Sequence, residues 1–253
     1  ENGIDGFALS DHDTLGGCQE IPELSRKYGI KIIPAVEIST EEKERDVHIL
    51  VYGLGEDHPH IEKLLSRLIR SRVSRIESMV VNLAKAGVNI TTGEVLSAAQ
   101  GGSPGRPHIA KVLMDHGYVT SISQAFSRYL GRGCPGYVCR EKLSPVECIE
   151  IVLADGGLPV LAHPGLDEAY KLIPTLAKNG LWGLEVYHSS HSPGQERKFK
   201  ALARKYDLRI TGGSDFHGFI NGEHGNIGSK YIISQDIDNF FSVDGGRNNV
   251  ERI

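Results

Sequence analysis

The sequence predicts an α/β barrel carrying a helical insertion, and three observations predict it. Short apolar runs of β character alternate with helical segments at both ends of the chain. Residues 60 to about 135 show almost no strand signal but several amphipathic helical stretches. Histidine, aspartate and glutamate collect where the predicted strands end, the position that forms the functional face of such a barrel. The expected organisation is a barrel built from residues 1–59 and 136–253, with a helical subdomain inserted over 60–135.

Taken in order, Asp5 to Ser10 reads as a strand, and Leu15 to Tyr28 as a helix capped by Asp13 or Thr14 and closed by Gly29 at C′. Lys31 to Ile38 and Val47 to Tyr52 read as buried strands. In the insertion, Ile61, Leu64, Leu65, Leu68, Val73, Ile76, Val80 and Leu83 trace one apolar face of a long helix. Shorter helices follow near 93–100, 106–116 and 121–130, with the breaker cluster Gly101-Gly102-Ser103-Pro104-Gly105 between them. From Gly156 the alternation resumes. Strand Leu158 to Ala162, helix Glu168 to Asn179, strand Leu181 to Tyr187, helix Gly194 to Tyr206, strand Leu208 to Thr211 and a last strand near Ser229 to Ile233 are expected.

The chain has 253 residues, 40% of them hydrophobic, enough to bury a full core. Its formal charge of −4 gives no general reason to coat a nucleic acid or an anionic membrane, so any phosphate binding must be local. Cys18, Cys134, Cys139 and Cys148 form no CxxC pair and read as packing thiols of a reducing compartment. No apolar run approaches the roughly 20 residues of a membrane span, and the start lacks the blocks of a signal peptide. A soluble cytoplasmic protein is expected, with no membrane partner and no protein partner inferable. The opening Glu1-Asn2-Gly3-Ile4-Asp5-Gly6 has no initiator Met and runs at once into a strand, as a sequence beginning partway through a domain would.

The chemistry concentrates in a few places. Ser10-Asp11-His12-Asp13-Thr14 follows the first strand directly; helix capping accounts for Asp13 and Thr14 but not for Asp11 or His12. Glu37 interrupts an apolar strand, where a carboxylate is costly unless paired or bound to a cation. His48 lies inside the next strand and, taken alone, reads as a hydrogen-bonded core histidine. Later strands end in His163-Pro164-Gly165, in His188-Ser189-Ser190-His191 and in Asp215-Phe216-His217, whose two polar side chains share a face when extended. Imidazoles mixed with hard oxygen ligands suit Mn²⁺, Fe²⁺ or Zn²⁺, and such ions suit hydrolysis; no serine or cysteine nucleophile motif competes. Gly105-Arg106-Pro107-His108 is either a phosphate cradle at a helix start or a plain capped helix with a solvated Arg. Arg132 is a further candidate anion contact. His58, His60, His116 and His224 read as solvated turn residues, and Arg67, Arg70, Arg72 and Arg75 as an exposed helix face.

With these residues in view, the chain resembles the PHP (polymerase and histidinol phosphatase) domain family, in the branch of nucleoside 3′,5′-bisphosphate phosphatases and 5′-3′ exoribonucleases of the RNase AM type. The resemblance rests on SDHDT (10–14), AVEIS (35–39), VHILVYG (47–53), GRPHIA (105–110), AHPG (162–165), EVYHSSH (185–191) and GSDFHG (213–218). It implies a distorted (β/α)7 TIM-like barrel with an inserted helical subdomain. It also implies up to three divalent metal ions, Mn²⁺ first with Fe²⁺ or Zn²⁺ as alternatives, and a metal-bound hydroxide that attacks phosphorus. Carried over by position, the metal ligands would be His12, Glu37, His48, His163, Asp215 and His217. Arg106, His108 and Arg132 would bind substrate phosphate, and His188 and His191 would face it or move protons, with Asp13 supporting the ligands. The implied substrate is a nucleotide such as a nucleoside 3′,5′-bisphosphate, or the 5′ end of a short single-stranded RNA. A histidinol-phosphate-type phosphatase and a catalytically silent metal- or nucleotide-binding module are the alternatives. The family opens on a strand bearing an HxH pair that has no counterpart after Glu1, so the first strand is expected to lie upstream of Glu1.

Overall fold

The structure is a computed structural model that describes residues 3–217 and 226–233. Six of the predicted apolar runs become strands of one sheet, which follow one another across it in chain order. They are β1 (Gly6–His12), β2 (Lys31–Glu42), β3 (Arg45–Tyr52), β4 (Leu158–Leu161), β5 (Gly183–His188) and β6 (Arg209–Gly213). β1 and β2 are parallel, as are β4, β5 and β6, whereas β3 is antiparallel to both its neighbours. The reversal is made by Lys43 and Glu44, both left-handed at φ 50° and 67°. Its consequence is positional: His48, near the start of β3, pairs in register with Ser39 in the later part of β2. A residue at the beginning of β3 therefore joins the end of the sheet where β1, β4 and β5 finish.

Ala35, Val36 and Ile38 of β2 and Ile49 and Val51 of β3 are fully buried, which explains near-continuous apolar runs rather than strict alternation. The helix expected over 15–28 divides into a 3₁₀ turn, Gly16–Glu20, and α1 (Ile21–Tyr28), because Pro22 begins a new helix. Gly29 closes α1 at φ 62°. Asp13 is not the cap, but Thr14 Oγ1 accepts from the Gly16 N–H at 3.0 Å at the start of the 3₁₀ turn. The expected last strand is absent: residues 229–233 are turn and irregular, and Tyr231 and Ile233 are exposed. Their alternation finds no strand to pair with among the described residues. His224 lies outside the described residues.

The chain forms two compact units, residues 1–61 with 143–253 and residues 62–142. The first contains the sheet, α1, α6 (Pro145–Ala154), α7 (Ile173–Lys178) and α8 (Pro193–Lys205). Reading the sequence did not anticipate α6, although Ser144 caps it by accepting from the Glu147 N–H at 3.1 Å and Pro145 stands in its first turn. The second unit holds most of α2 (Pro59–Lys85), with α3 (Thr92–Ala98), α4 (Arg106–Asp115) and α5 (Ile122–Ala125). Ile76, Met79 and Leu83 of α2 pack with Ile109, Leu113 and Leu130 in its core. This unit continues past residue 135: Gly136 N–H donates to the Tyr129 carbonyl at 2.9 Å, and Arg75 Nε to that of Val138 at 2.7 Å.

The first turn of α2 is tied down by Asp155, whose carboxylate accepts from the Ile61 N–H at 2.8 Å and meets His60 Nδ1 at 2.6 Å. His60 is thus exposed but partnered, and His58 and His116 bond locally to the Gly55 carbonyl and to Glu94. Burial works against the charged Asp155 carboxylate, but the bonds from Ile61 and His60 outweigh it and hold its pKa below the usual range. A depressed carboxylate pKa stabilises the fold above the unfolded value, near pH 4, and that stability is lost as pH falls through the folded pKa. Asp155→Ala is expected to cost about 1 kcal/mol at neutral pH in urea unfolding. The difference from wild type should vanish in acid.

Candidate metal centre

Six imidazoles form a continuous arc where the strands end. In the order His217, His12, His48, His163, His188, His191, successive ring centroids lie 5.4, 5.1, 5.0, 5.4 and 5.2 Å apart. His12 ends β1 and pairs in register with Glu37 of β2, His163 follows β4, and His188 ends β5. His217 follows β6, and its Nε2 lies 3.4 Å from that of His12. The two outer strands of the sheet thus converge at this end, so the sheet is curled.

Glu37 is the hub. Its Oε1 is 2.7 Å from His48 Nδ1 and 3.0 Å from His163 Nε2, and its Oε2 is 3.4 Å from His12 Nδ1. The ligand atoms of His12, Glu37 and His48 all lie within 4.8 Å of one another. Burial alone would raise the Glu37 pKa, but His12, His48 and His163 outweigh it and hold the carboxyl well below its usual range. The same contacts act on His163: burial opposes its charge, yet the bond and charge of Glu37, then Glu185 and Asp215, push it up to about 9. Asp215 approaches His188 Nε2 at 3.3 Å and His217 Nδ1 at 3.5 Å.

The supporting contacts are buried. Asp13 is 1% exposed; its Oδ1 accepts from the Ser39 N–H at 2.7 Å, and its own N–H donates to the Glu37 carbonyl at 2.9 Å. It thereby fixes the strand that carries Glu37. Glu185, which sequence reasoning passed over, accepts from the His163 N–H at 2.7 Å and is pushed up to about 7 by burial. The signal was available, since Glu185 interrupts the apolar strand Leu184-Glu185-Val186 as Glu37 interrupts its own. Asp13, His163 and Asp215 adopt positive φ of 53°, 24° and 53°, a strain that persists only where surrounding contacts impose it.

His191 is engaged at both nitrogens. Gly165 N–H donates to Nε2 at 3.1 Å, so Nδ1 carries the hydrogen and donates to the Val186 carbonyl at 2.9 Å. This explains Gly165: a Cβ there would lie 2.8 Å from His191 Cδ2. Gly165→Ala is expected to displace the His191 ring and lower turnover about tenfold, with far-UV circular dichroism unchanged.

Arg106, His108 and Arg132 belong to the second unit. Arg106 opens α4, with Pro107 in its first turn, and lies over the Phe126 ring at 5.3 Å. His108 Nδ1 accepts from the Gly105 N–H at 3.1 Å, and burial with Arg72 nearby lowers its pKa. Arg132 lies 6.0 Å over Tyr137.

The donor set fits divalent ions of intermediate hardness: clustered imidazole nitrogens and carboxylate oxygens, with no thiolate among them. Cys18 instead points its thiol at the Leu9 and Ala35 carbonyls. His188 is 1% exposed, and its Nε2 lies 3.3 Å from Asp215 Oδ2, a pair outside hydrogen-bond geometry. A buried polar atom left this way is expected where something else meets it.

Comparison with known proteins agrees with this chemistry. No protein-family profile matches the chain. It is 30% identical over 224 residues to a phosphoribosyl 1,2-cyclic phosphate 1,2-diphosphodiesterase of Eggerthella lenta, covering 86% of this chain and 85% of that protein. It is 33% identical to a 5′-3′ exoribonuclease of Haemophilus influenzae, over 85% of this chain and 80% of the relative. It is 32% identical to a 3′,5′-nucleoside bisphosphate phosphatase of Chromobacterium violaceum, over 83% and 76%. A crystal structure from Bifidobacterium adolescentis, assigned to the metal-dependent phosphoesterases, superposes with a TM-score of 0.86 at 28% identity, covering 94% of this chain and 85% of the other.

Proposed function

The chain belongs to the PHP-type branch that includes 5′-3′ exoribonucleases and 3′,5′-nucleoside bisphosphate phosphatases, and from that premise we propose that it hydrolyses a terminal phosphate of a nucleotide or of the 5′ end of a short RNA. The observation that carries this reading is the arc of imidazoles around the buried Glu37, set at the strand ends with carboxylates on both sides. In this proposal His12, Glu37, His48, His163, Asp215 and His217 hold up to three divalent ions, Mn²⁺ before Fe²⁺ or Zn²⁺. When bound, such ions neutralise phosphate charge and lower the pKa of water.

The protein's own groups supply the rest. Asp13 and Glu185 fix the backbone at Ser39 and His163, and so aim the Glu37 and His163 side chains. His188 Nδ1 accepts from the Ser190 N–H at 3.1 Å, which leaves the proton on Nε2, where it can be given to a leaving oxygen. His191 holds the 163–165 turn in place. Arg106 at the start of α4 is suited to a phosphate through its guanidinium fork, with His108 and Arg132 as further contacts. The same reading includes closure of the curled sheet as a seven-stranded barrel, with the helical unit of residues 62–142 as its insertion.

A second reading, hydrolysis of a cyclic phosphodiester on a phosphorylated sugar, is favoured by the Eggerthella lenta relative. Hydrolysis with added Mn²⁺ of adenosine 3′,5′-bisphosphate and histidinol phosphate, read as phosphate release, and of a ribose 1,2-cyclic phosphate, read as ring opening to the monoester, compared side by side, decides between them. The bisphosphate is expected to turn over fastest, and preference for the cyclic ester would transfer the assignment to the second reading.

A further inference from the structure

The helical unit carries a groove of about 460 Å³ along α2, lined by Arg67, Ser71, Ser74 and Ser78 with Arg70 and Arg75 beside them, and by Val138, Cys139 and Glu141. The first four recur at spacings of four, three and four, which puts them on one helix face. That face is separate from the one through Ile76, Met79 and Leu83, which is buried in the core. Short serine side chains and guanidiniums line it together. The arginines expected to form an evenly exposed face are in fact half-buried, apart from Arg70.

The charge in the groove is one-sided. Glu141 is its only carboxylate and lies 3.3 Å from Arg67 Nε. Arg75 is tethered by Nε to the Val138 carbonyl at 2.7 Å. Burial first, and then Arg106, Arg140 and Arg72, bring the Arg75 pKa down to about 10. Gathering guanidiniums against one another costs free energy that an anion would offset. No aromatic ring lines the groove, so stacked bases have no platform there. From Arg67 to Ser78 the helix advances roughly 16 Å at 1.5 Å per residue, room for more than one phosphate.

We propose that this groove binds the sugar-phosphate backbone of a single-stranded oligonucleotide without reading its bases, and binds it in preference to a mononucleotide. This rests on the nucleotide reading of the reaction, but its test does not need turnover. The probe is a 3′-fluorescein-labelled, 5′-phosphorylated ten-nucleotide RNA, its binding to the full-length protein followed by anisotropy in chelator across a salt series. Arg70 makes no hydrogen bond or ion pair among the described residues and is exposed, so Arg70→Ala should leave the melting temperature unchanged. Its affinity for the probe should fall about tenfold at low salt, with the salt slope reduced by about one. Lys85→Ala, which removes a charge from the same helix outside the groove, should bind as wild type does.

Three results would overturn the proposal: wild-type affinity in Arg70→Ala, an equal loss in Lys85→Ala, or adenosine monophosphate competing mole for mole with the RNA. Failure of the proposed reaction is read separately, as absent phosphate release with Mn²⁺ while the Arg70 effect on binding persists.

Discussion

His163→Ala is expected to abolish phosphate release, lowering kcat/KM by at least about 10³-fold, the several kcal/mol that metal-assisted charge stabilisation supplies. His163 Nε2 lies 3.0 Å from Glu37 Oε1 and 3.2 Å from His48 Nδ1, so its removal opens the middle of the arc. Its backbone N–H still donates to Glu185, which keeps the strand end in place, so the fold should survive by circular dichroism. The matched control is His58→Ala. His58 directly precedes α2, where its Nδ1 donates to the Gly55 carbonyl at 2.9 Å, and activity should stay within about twofold of wild type, as for a surface change. Equal losses in the two variants would mean that the strand-end histidines are not set apart from the turn histidines by function.

Glu37→Gln is expected to be as severe and to show a different signature. The substitution keeps the volume and one acceptor oxygen but removes the charge that His12, His48 and His163 surround. Bound divalent metal per chain should fall with activity, by about 10³-fold in the latter, and added Mn²⁺ should restore little of it. A variant that keeps its full metal content and loses only turnover would give Glu37 a role in proton transfer instead of metal binding.

The strand ends were legible because a carboxylate or imidazole in an apolar run is costly and therefore conspicuous. Glu37 stood out on that ground, and His163 and Asp215 because they follow predicted strands. His48 did not, because the direction of β3 cannot be read from its composition: only the antiparallel pairing with β2 puts its first residues at the active end of the sheet. Glu185 carried the same signal as Glu37 and was hidden by the more obvious histidines that follow it. The assignment of Asp13 as a helix cap failed because its side chain reaches across to the Ser39 N–H of another strand, a long-range bond that local propensity does not contain. The alternation near residues 229–233 looked like a strand and is not one, since pairing partners, not pattern, make a strand.

The most direct test of a metal-dependent phosphoesterase centre is one titration: the full-length protein is stripped with chelator, and Mn²⁺ is added back while bound metal and phosphate release from adenosine 3′,5′-bisphosphate are measured together. Activity that is absent from the stripped protein and rises in step with bound metal is the predicted result. Full phosphate release without bound metal, or metal uptake with no hydrolysis of any of the three substrates, would contradict it.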